Sequence, residues 1–195
     1  MKNVFLNKKV LVTGHTGFKG AWLVMWLSQF KSKIMGISLD VPTKPSHYEL
    51  LGISKKIIDR RIDIKDLKKV KKEVLKFKPD FIFHLAAQSL IKRSYQDPVK
   101  TWETNLIGTV NLLESIRHLK KCVAVIITSD KCYKNFEIQR GYVEQDILAG
   151  EDPYSASKSA AEIAIQSYVK SFLSDKKRFR IASVRAGNVI GGGDW

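Results

Sequence analysis

The stretch Val10-Leu11-Val12-Thr13-Gly14-His15-Thr16-Gly17-Phe18-Lys19-Gly20 decides the fold. A short apolar strand runs into a turn with glycines at positions 14, 17 and 20, and an amphipathic run, Ala21-Trp22-Leu23-Val24-Met25-Trp26-Leu27, follows at once. A turn this tight needs backbone angles that glycine adopts cheaply. It also leaves the first N–H groups of the helix, with their partial positive charge, pointing into the turn. That is a seat for a pyrophosphate. The spacing G-x-x-G-x-x-G departs from the G-x-G-x-x-G dinucleotide fingerprint, yet the mechanics are shared: room for the turn, close approach to phosphate, close helix–strand packing. An ordinary strand–helix turn is the weaker reading, because strand before and amphipathic helix after are the context the motif requires. Gly14, Thr16, Gly17, Phe18, Lys19 and Gly20 are therefore the expected cofactor contacts.

The chain has 195 residues, enough for one domain with a full core. Its 44% hydrophobic content is ordinary, and no apolar run approaches the ~20 residues of a membrane span. The first nine residues hold too short an apolar stretch for a signal peptide. The expectation is a cytoplasmic protein without a membrane partner. Cys122 and Cys132 form no C-x-x-C pair and read as reduced thiols, and no metal site is expected. A net charge of +15 raises the question of nucleic acid. The lysines are densest over residues 65–78, where Leu67, Val70, Val74 and Leu75 keep a helical apolar stripe and the charges fill the opposite face. That is a solvated face, so no nucleic-acid partner is expected, only a general attraction for anionic nucleotides.

Beyond the opening motif, strands and helices alternate. The patterning predicts strands at Lys9–Thr13, Lys33–Ser38, 56–60, 80–86, 122–128 and 179–185, with helices at 17–30, 65–78, 98–119 and Pro153–Phe172. Leu106, Val110, Leu113 and Ile116 are expected to face the sheet. The unbroken apolar run of the fifth strand reads as a central parallel strand covered on both faces. Six strands separated by helices imply an α/β fold, a doubly wound, mostly parallel Rossmann sheet with helices on both faces and order 3-2-1-4-5-6.

Ligands then sit at the carboxyl ends of the strands, where the unusual polar groupings should meet. Asp40, about 20 residues beyond the last fingerprint glycine, is placed to accept hydrogen bonds from an adenosine ribose, which favours NAD over its phosphorylated form. Asp63, beside Ile64, either reaches the adenine or caps the lysine-rich helix, and both readings stay open. The loop over residues 41–52 is long and proline-marked, and is expected to lie over the site. After the fourth strand, Leu85, Ala86 and Ala87 let backbone approach a cofactor, with Gln88 next toward a substrate.

The catalytic signal is Tyr154-Ser155-Ala156-Ser157-Lys158. At this spacing the tyrosine and lysine share one face of a helix. A phenol of pKa ~10 is a poor base at neutral pH, and a nearby ammonium favours the phenolate. The pair can then take a hydroxyl proton while a hydride leaves the same carbon.

These residues resemble a known family. The motif Val12–Gly20 (residues 12–20), His84-Leu85-Ala86-Ala87, Asn105-Leu106-Ile107-Gly108-Thr109 and the Tyr154/Lys158 pair look like the extended short-chain dehydrogenase/reductases that act on nucleotide sugars. The subgroup of 4,6-dehydratases acting on CDP-glucose is the more similar, through Phe18-Lys19-Gly20-Ala21-Trp22, Pro42-Thr43-Lys44-Pro45, residues 128–133, Asp152-Pro153-Tyr154-Ser155 and residues 185–195. The resemblance covers the whole chain. It implies that Tyr154, supported by Lys158, deprotonates the glucose C4 hydroxyl as hydride passes to NAD. Water is then lost across C5 and C6 and the hydride returns to C6. Asp130 and Lys131 occupy the acid and base positions of that elimination, which requires a partly desolvated site that raises the carboxyl pKa and lowers the ammonium's. By the same resemblance Ser129 bonds the C4 oxygen, Thr128 and Asn105 lie at the cofactor, Asn188 meets the substrate phosphates, and the protein is a homodimer. Whether the product serves lipopolysaccharide or another glycan is left open.

Family members continue for roughly another domain, the substrate domain, so residues 1–195 read as the NAD-binding part alone, and weak or absent turnover is expected of it. A C4 epimerase, or a nonenzymatic nucleotide-binding fragment, are the alternative readings. The first needs Tyr154 and Lys158 but not Asp130; the second needs neither and predicts salt-dependent binding to nucleic acid.

Overall fold

A computed structural model describes residues 4–194; residues 1–3 and Trp195, the last residue of the C-terminal motif, lie outside the described part. The strands are β1 (Lys9–Thr13), β2 (Lys33–Ser38), β3 (Ile58–Arg61), β4 (Phe81–His84), β5 (Cys122–Ile127) and β6 (Phe179–Val184). All pair in parallel in the order β3-β2-β1-β4-β5-β6, as the alternating pattern predicts. The helices are α1 (Phe18–Ser28), α2 (His47–Leu50), α3 (Leu67–Phe77), α4 (Ile91–Gln96), α5 (Pro98–Trp102), α6 (Gly108–Arg117) and α7 (Pro153–Phe172). Register aligns Thr13 with His84 and His84 with Ile126, so the loops after β1, β4 and β5 leave the sheet side by side. The reversal of strand order between β1 and β4 opens a crevice there.

One face of the sheet, with Leu11, Met35, Ile37, Ile82, Ala124 and Ile126, packs on α3, α6 and α7. On the other face Val10, Val12 and Ile34 pack on Ala21, Val24 and Leu27 of α1 and on Tyr48 and Ile53. That second layer stops short of β5 and β6. Val123, Val125 and Ile127 are half-buried and Val184 is exposed, so the expectation that β5 is covered on both faces fails among the described residues. Its apolar run records a second apolar face, not a second layer of helices. No helix of the described residues is long and apolar enough to cross a membrane.

Three local expectations shift. A 3-10 turn at Ile53–Lys55 pushes β3 two residues later than the pattern suggests. In α3, Val70, Val74 and Phe77 are buried, whereas Leu67 is exposed and Leu75 packs only partly. The single helix expected over residues 98–119 is α5, a π-helical turn at Glu103–Ile107, and α6. The wider turn inserts about one extra residue into the helical period, which rotates the apolar stripe. Leu112, Leu113 and Ile116 are fully buried, while Leu106 and Val110 are half-buried. The loop 41–52 carries a cis Lys44–Pro45 bond and α2, and lies along α1 with the His47 ring 4.7 Å from Trp22, edge to face.

Leu112→Ala should cost roughly 2–5 kcal/mol in a denaturant titration, and Leu106→Ala clearly less. Equal costs would contradict the rotated stripe.

Candidate active site

The turn that opens the chain is built from backbone contacts. Gly14 has φ +73°, and its N–H donates to the Ile37 carbonyl at 2.8 Å. A Cβ on Gly14 would lie 2.7 Å from the Ala86 nitrogen, and one on Gly20 would lie 2.2 Å from the Gly14 carbonyl oxygen. Those two glycines are required by packing. Gly17 is different: the nearest atom to its Cβ position is 3.5 Å away, an ordinary contact. It is the N-cap of α1, with no side-chain cap and no acidic residue in the first turn, so the helix terminus meets an open approach that carries partial positive charge. Phe18, Lys19 and Trp22 face Val189–Gly191 (residues 189–191) across a hollow of about 360 Å³. Burial pushes the Lys19 ammonium's pKa down, and Asp194 opposes it.

The sequence reading does not single out His15. Its ring is buried against Gly36, where a Cβ would lie 2.4 Å from it, and Nε2 meets the Asp59 carboxylate at 3.0 Å. Asp59 also accepts from Tyr48 and Arg61. This ties the turn to β3 and α2. A histidine between the glycines with a glycine in the neighbouring strand was the available signal.

The residues expected at the adenosine end lie beyond β2 and β3. Thr16 is buried and shares a hydrogen bond with Ser38 at 2.7 Å. Asp40 is exposed two residues past β2, and its carbonyl accepts from Thr16 at 3.4 Å. Asp63 accepts from the Lys65 N–H at 2.9 Å, whereas Asp66 is the N-cap of α3, accepting from the Lys69 N–H. Ile64 is buried, against Gly108.

After β4 the backbone hugs the turn. The Leu85 N–H donates to the Thr13 carbonyl and the Ala86 N–H to the Thr13 hydroxyl. The His84 imidazole bridges the hydroxyls of Thr13 (2.6 Å) and Thr109 (3.1 Å), and burial, aided by Lys158, holds its pKa down at about 3. Asn105 stands on the π turn. It is buried, accepts from the Gln88 N–H and donates to the Gln88 carbonyl and the Ser157 hydroxyl. Ala87 lies between these anchors.

The Tyr154 and Lys158 side chains come from the start of α7. Asp152 caps that helix, accepting from the Tyr154 and Ser155 N–H groups at 2.9 and 3.0 Å in a capping box. Tyr154 is 9% exposed. Burial raises its pKa, and a hydrogen bond with Ser129 opposes that rise. Lys158 is buried, its pKa lowered to about 8 by desolvation and by Lys19. Burial, not the ammonium, sets the direction of the phenol's shift. Ser129 also donates to Asp130 at 3.1 Å, and Asp130 pairs with Lys131 at 3.7 Å. Asp130 and Lys131 remain 50% and 40% exposed, so the described residues do not desolvate them. They edge an open groove of about 1100 Å³ that includes Tyr133, Glu162 and Arg185. Asn188 is exposed in the loop after β6, next to Gly187, which lies against the Asp130 carboxylate.

One further group escapes the sequence reading. Glu162, 1% exposed and one turn beyond Lys158, accepts from Thr128 at the end of β5, and from Ser183 and Arg185 at 3.0 and 2.9 Å. Its position four residues after a motif lysine, where an acid has no reason to face the sheet unless paired, was the only clue. The arrangement brings a phosphate-sized approach at α1, a buried phenol and ammonium, and an acid–amine pair to one edge of the sheet. Among the described residues no cluster of His, Cys, Asp or Glu is suited to a metal.

Comparison with known proteins places this geometry. A family model described as GDP-mannose 4,6 dehydratase matches residues 11–179. The CDP-glucose 4,6-dehydratase of Salmonella typhimurium is 45% identical over 199 residues, covering 100% of this chain and 55% of that protein. The dTDP-D-glucose 4,6-dehydratase of Dictyostelium discoideum is 33% identical over 205 residues, covering 97% and 46%. Among solved structures, the UDP-glucose 4-epimerase of Thermus thermophilus in complex with NAD superposes with a TM-score of 0.78 at 28% identity, over 91% of this chain and 54% of that one. The chain thus spans about half the length of the relatives it matches.

Because Lys158 binds its proton less tightly in the folded chain than in the unfolded one, it detracts from stability below about pH 8, and the deficit closes as pH rises toward the unfolded pKa of ~10.4. Lys158→Met should therefore raise stability at pH 7 by roughly 1–3 kcal/mol in urea titrations, with the gain shrinking toward pH 10. A pH-independent difference would contradict the buried ammonium.

Proposed function

Given that this chain belongs to the GDP-mannose 4,6-dehydratase family of NAD-dependent epimerases and dehydratases, we propose that it is the cofactor-binding part of a nucleotide-sugar 4,6-dehydratase that acts on CDP-glucose. The observation that carries the reading is the junction of two groups. Ser129, followed by Asp130 and Lys131, lies against the Tyr154 phenol, one turn from Lys158. An epimerase has use for Tyr154 and Lys158 but none for the Asp130 and Lys131 pair. The identity with the Salmonella CDP-glucose enzyme along the whole chain supports the choice of base.

The residues present fit NAD. The uncapped terminus of α1 with the open Gly17 suits a pyrophosphate. Thr16, Ser38 and Asp40 line the ribose end, Asp63 and Ile64 the adenine end, and Leu85, Ala86, Ala87, Asn105 and Thr128 the path between. NAD, when bound, supplies a reversible hydride acceptor. Tyr154 takes the proton of the C4 hydroxyl, with Ser129 holding the C4 oxygen, and the Lys158 ammonium stabilises the phenolate that this requires. Lys131 then removes the C5 proton, acidified by the C4 ketone, while Asp130 protonates the departing C6 hydroxyl. Gln88 and Asn188 orient the substrate. Asp130 and Lys131 are about half exposed among the described residues, so the elimination needs a further surface over them to exclude water, and slow turnover is expected of these residues alone. Exposed Val99, Trp102, Ile107 and Ile163 on the outer sides of α5, the π turn and α7 support a homodimer formed through these helices.

Incubated with NAD and, in parallel, CDP-, UDP- and dTDP-glucose, the protein should remove one water from CDP-glucose preferentially, as read by mass spectrometry. Asp130→Asn should slow that loss by roughly 100-fold or more, the scale of a general acid, without weakening NAD binding. Water loss that survives Asp130→Asn would sink the assignment. Calorimetry separates the two kinds of glycine: Gly17→Ala should weaken NAD binding at unchanged melting temperature, whereas Gly20→Ala should lower the melting temperature itself.

A further inference from the structure

The charge of +15 has a location that the sequence alone does not reveal. In a sheet whose strands are all parallel, every strand begins on the same edge, opposite the carboxyl edge that holds the candidate site. Lys8 and Lys9 stand at the start of β1, Lys31 and Lys33 at β2, Lys55 and Lys56 at β3, Lys78 at β4, Lys120 and Lys121 at β5, and Lys176, Lys177 and Arg178 at β6. All twelve are exposed. The same short approaches to the six strands contain two acids, Asp80 and Asp175. Among the described residues none of the twelve side chains forms an ion pair, whereas several acids elsewhere are engaged by other cations, as Glu114 is by Lys71, Arg117 and His118. Cations also suit the helix carboxyl ends that finish on this edge. Arg178 serves that purpose, donating to the Leu119 and Lys120 carbonyls beyond α6. Four long helices end there, however, and one cation each leaves most of the plate unexplained.

Apolar side chains stand among these charges. Val4 is 60% exposed, Leu6 49%, Trp26 in the last turn of α1 51%, and Phe172 at the end of α7 51%. Five strand spacings make the edge roughly 24 Å wide. A row of exposed lysines along this edge, with exposed tryptophan, phenylalanine and leucine beside it, matches the requirements of an anionic bilayer, where ammonium groups meet headgroups and amphipathic rings settle at the interface. Nucleic acid would be served by the lysines but has no use for the aliphatic side chains.

We propose that the amino edge of the sheet is a docking surface for an anionic lipid bilayer, with Lys33, Lys120, Lys121 and Lys177 among its contacts and Trp26 at the interface. Docked this way, the carboxyl edge and its site face the aqueous phase. The inference is independent of the reaction assigned above.

Flotation with phosphatidylcholine vesicles, with and without phosphatidylglycerol, tests it at physiological salt. Binding should require phosphatidylglycerol and be lost at molar salt. Each lysine reversed should weaken it by roughly fivefold or more, so that the variant carrying Lys33→Glu, Lys120→Glu, Lys121→Glu and Lys177→Glu no longer floats. Lys92→Glu with Lys100→Glu, on α4 and α5 beyond the opposite edge, should float as before. Trp26→Ala should weaken binding severalfold and keep its salt dependence. The proposal is overturned if binding does not depend on phosphatidylglycerol, or if the two sets of lysine variants lose it equally. It is also overturned if duplex DNA strips the protein from the vesicles and is itself bound through the same four lysines.

Discussion

A single buried carboxylate holds the three segments of the candidate site in relation to one another. Glu162 receives hydrogen bonds from Thr128, Ser183 and Arg185, which come from the end of β5, the body of β6 and its exit. Thr128 immediately precedes Ser129 and Asp130, Arg185 precedes the loop that carries Asn188, and Glu162 itself rides on the helix of Tyr154 and Lys158. An unpaired carboxylate in that position would cost several kcal/mol. With a guanidinium and two hydroxyls around it the cost is offset, and α7 has one permitted position over the sheet. Arg185 extends the grip, bonding the Tyr133 hydroxyl and lying 4.9 Å over its ring, which stacks on Tyr142 in the long loop after β5.

Beside this satisfied charge sits one that is not comfortable. Lys158 is buried next to Lys19 and the neutral His84, and its lowered pKa measures that discomfort. The fold tolerates it because β1, β4 and α6 are locked together by the Thr13–His84–Thr109 bridge and by Asn105, so the region cannot relax by letting water in. Stability given up at the position proposed to support the phenolate fits the usual trade between packing and chemistry.

The sheet is legible in the residues because its signals are local and redundant: apolar runs of strand length, glycines where backbone approaches backbone, and Asp-Pro at the head of α7. The strand order follows from handedness rules that leave few alternatives. What escapes are matters decided at a distance. The π turn leaves no period in the sequence, so Leu106 within it, which an unbroken helix would put in phase with Leu113 and Ile116, is only half-buried, while Leu113 and Ile116 are buried as expected. The pairing of His15 with Asp59 joins positions far apart in the chain, and Glu162 has a partner on each of two strands. Alternation cannot tell that Val123 and Val125 of β5 are only half covered among the described residues, because an apolar face reads the same whatever lies upon it. Asp130 and Lys131 stand at a strand end beside the phenol, where the chain order puts them, but their solvation is a property of surfaces that no short motif records.

The π turn at Glu103–Ile107 also bears on how such chains change by descent. A helix that holds one residue too many is a frozen insertion: its neighbours on both sides keep ordinary α-helical spacing, and the surplus is confined to the turn that carries Asn105. Removing one residue there would restore a regular and locally stronger helix, yet would swing Asn105 by about a quarter turn away from Gln88 and Ser157. A change in the length of this segment is therefore opposed by the bonds of the amide and not by the helix, and point substitutions around it are easier to accommodate.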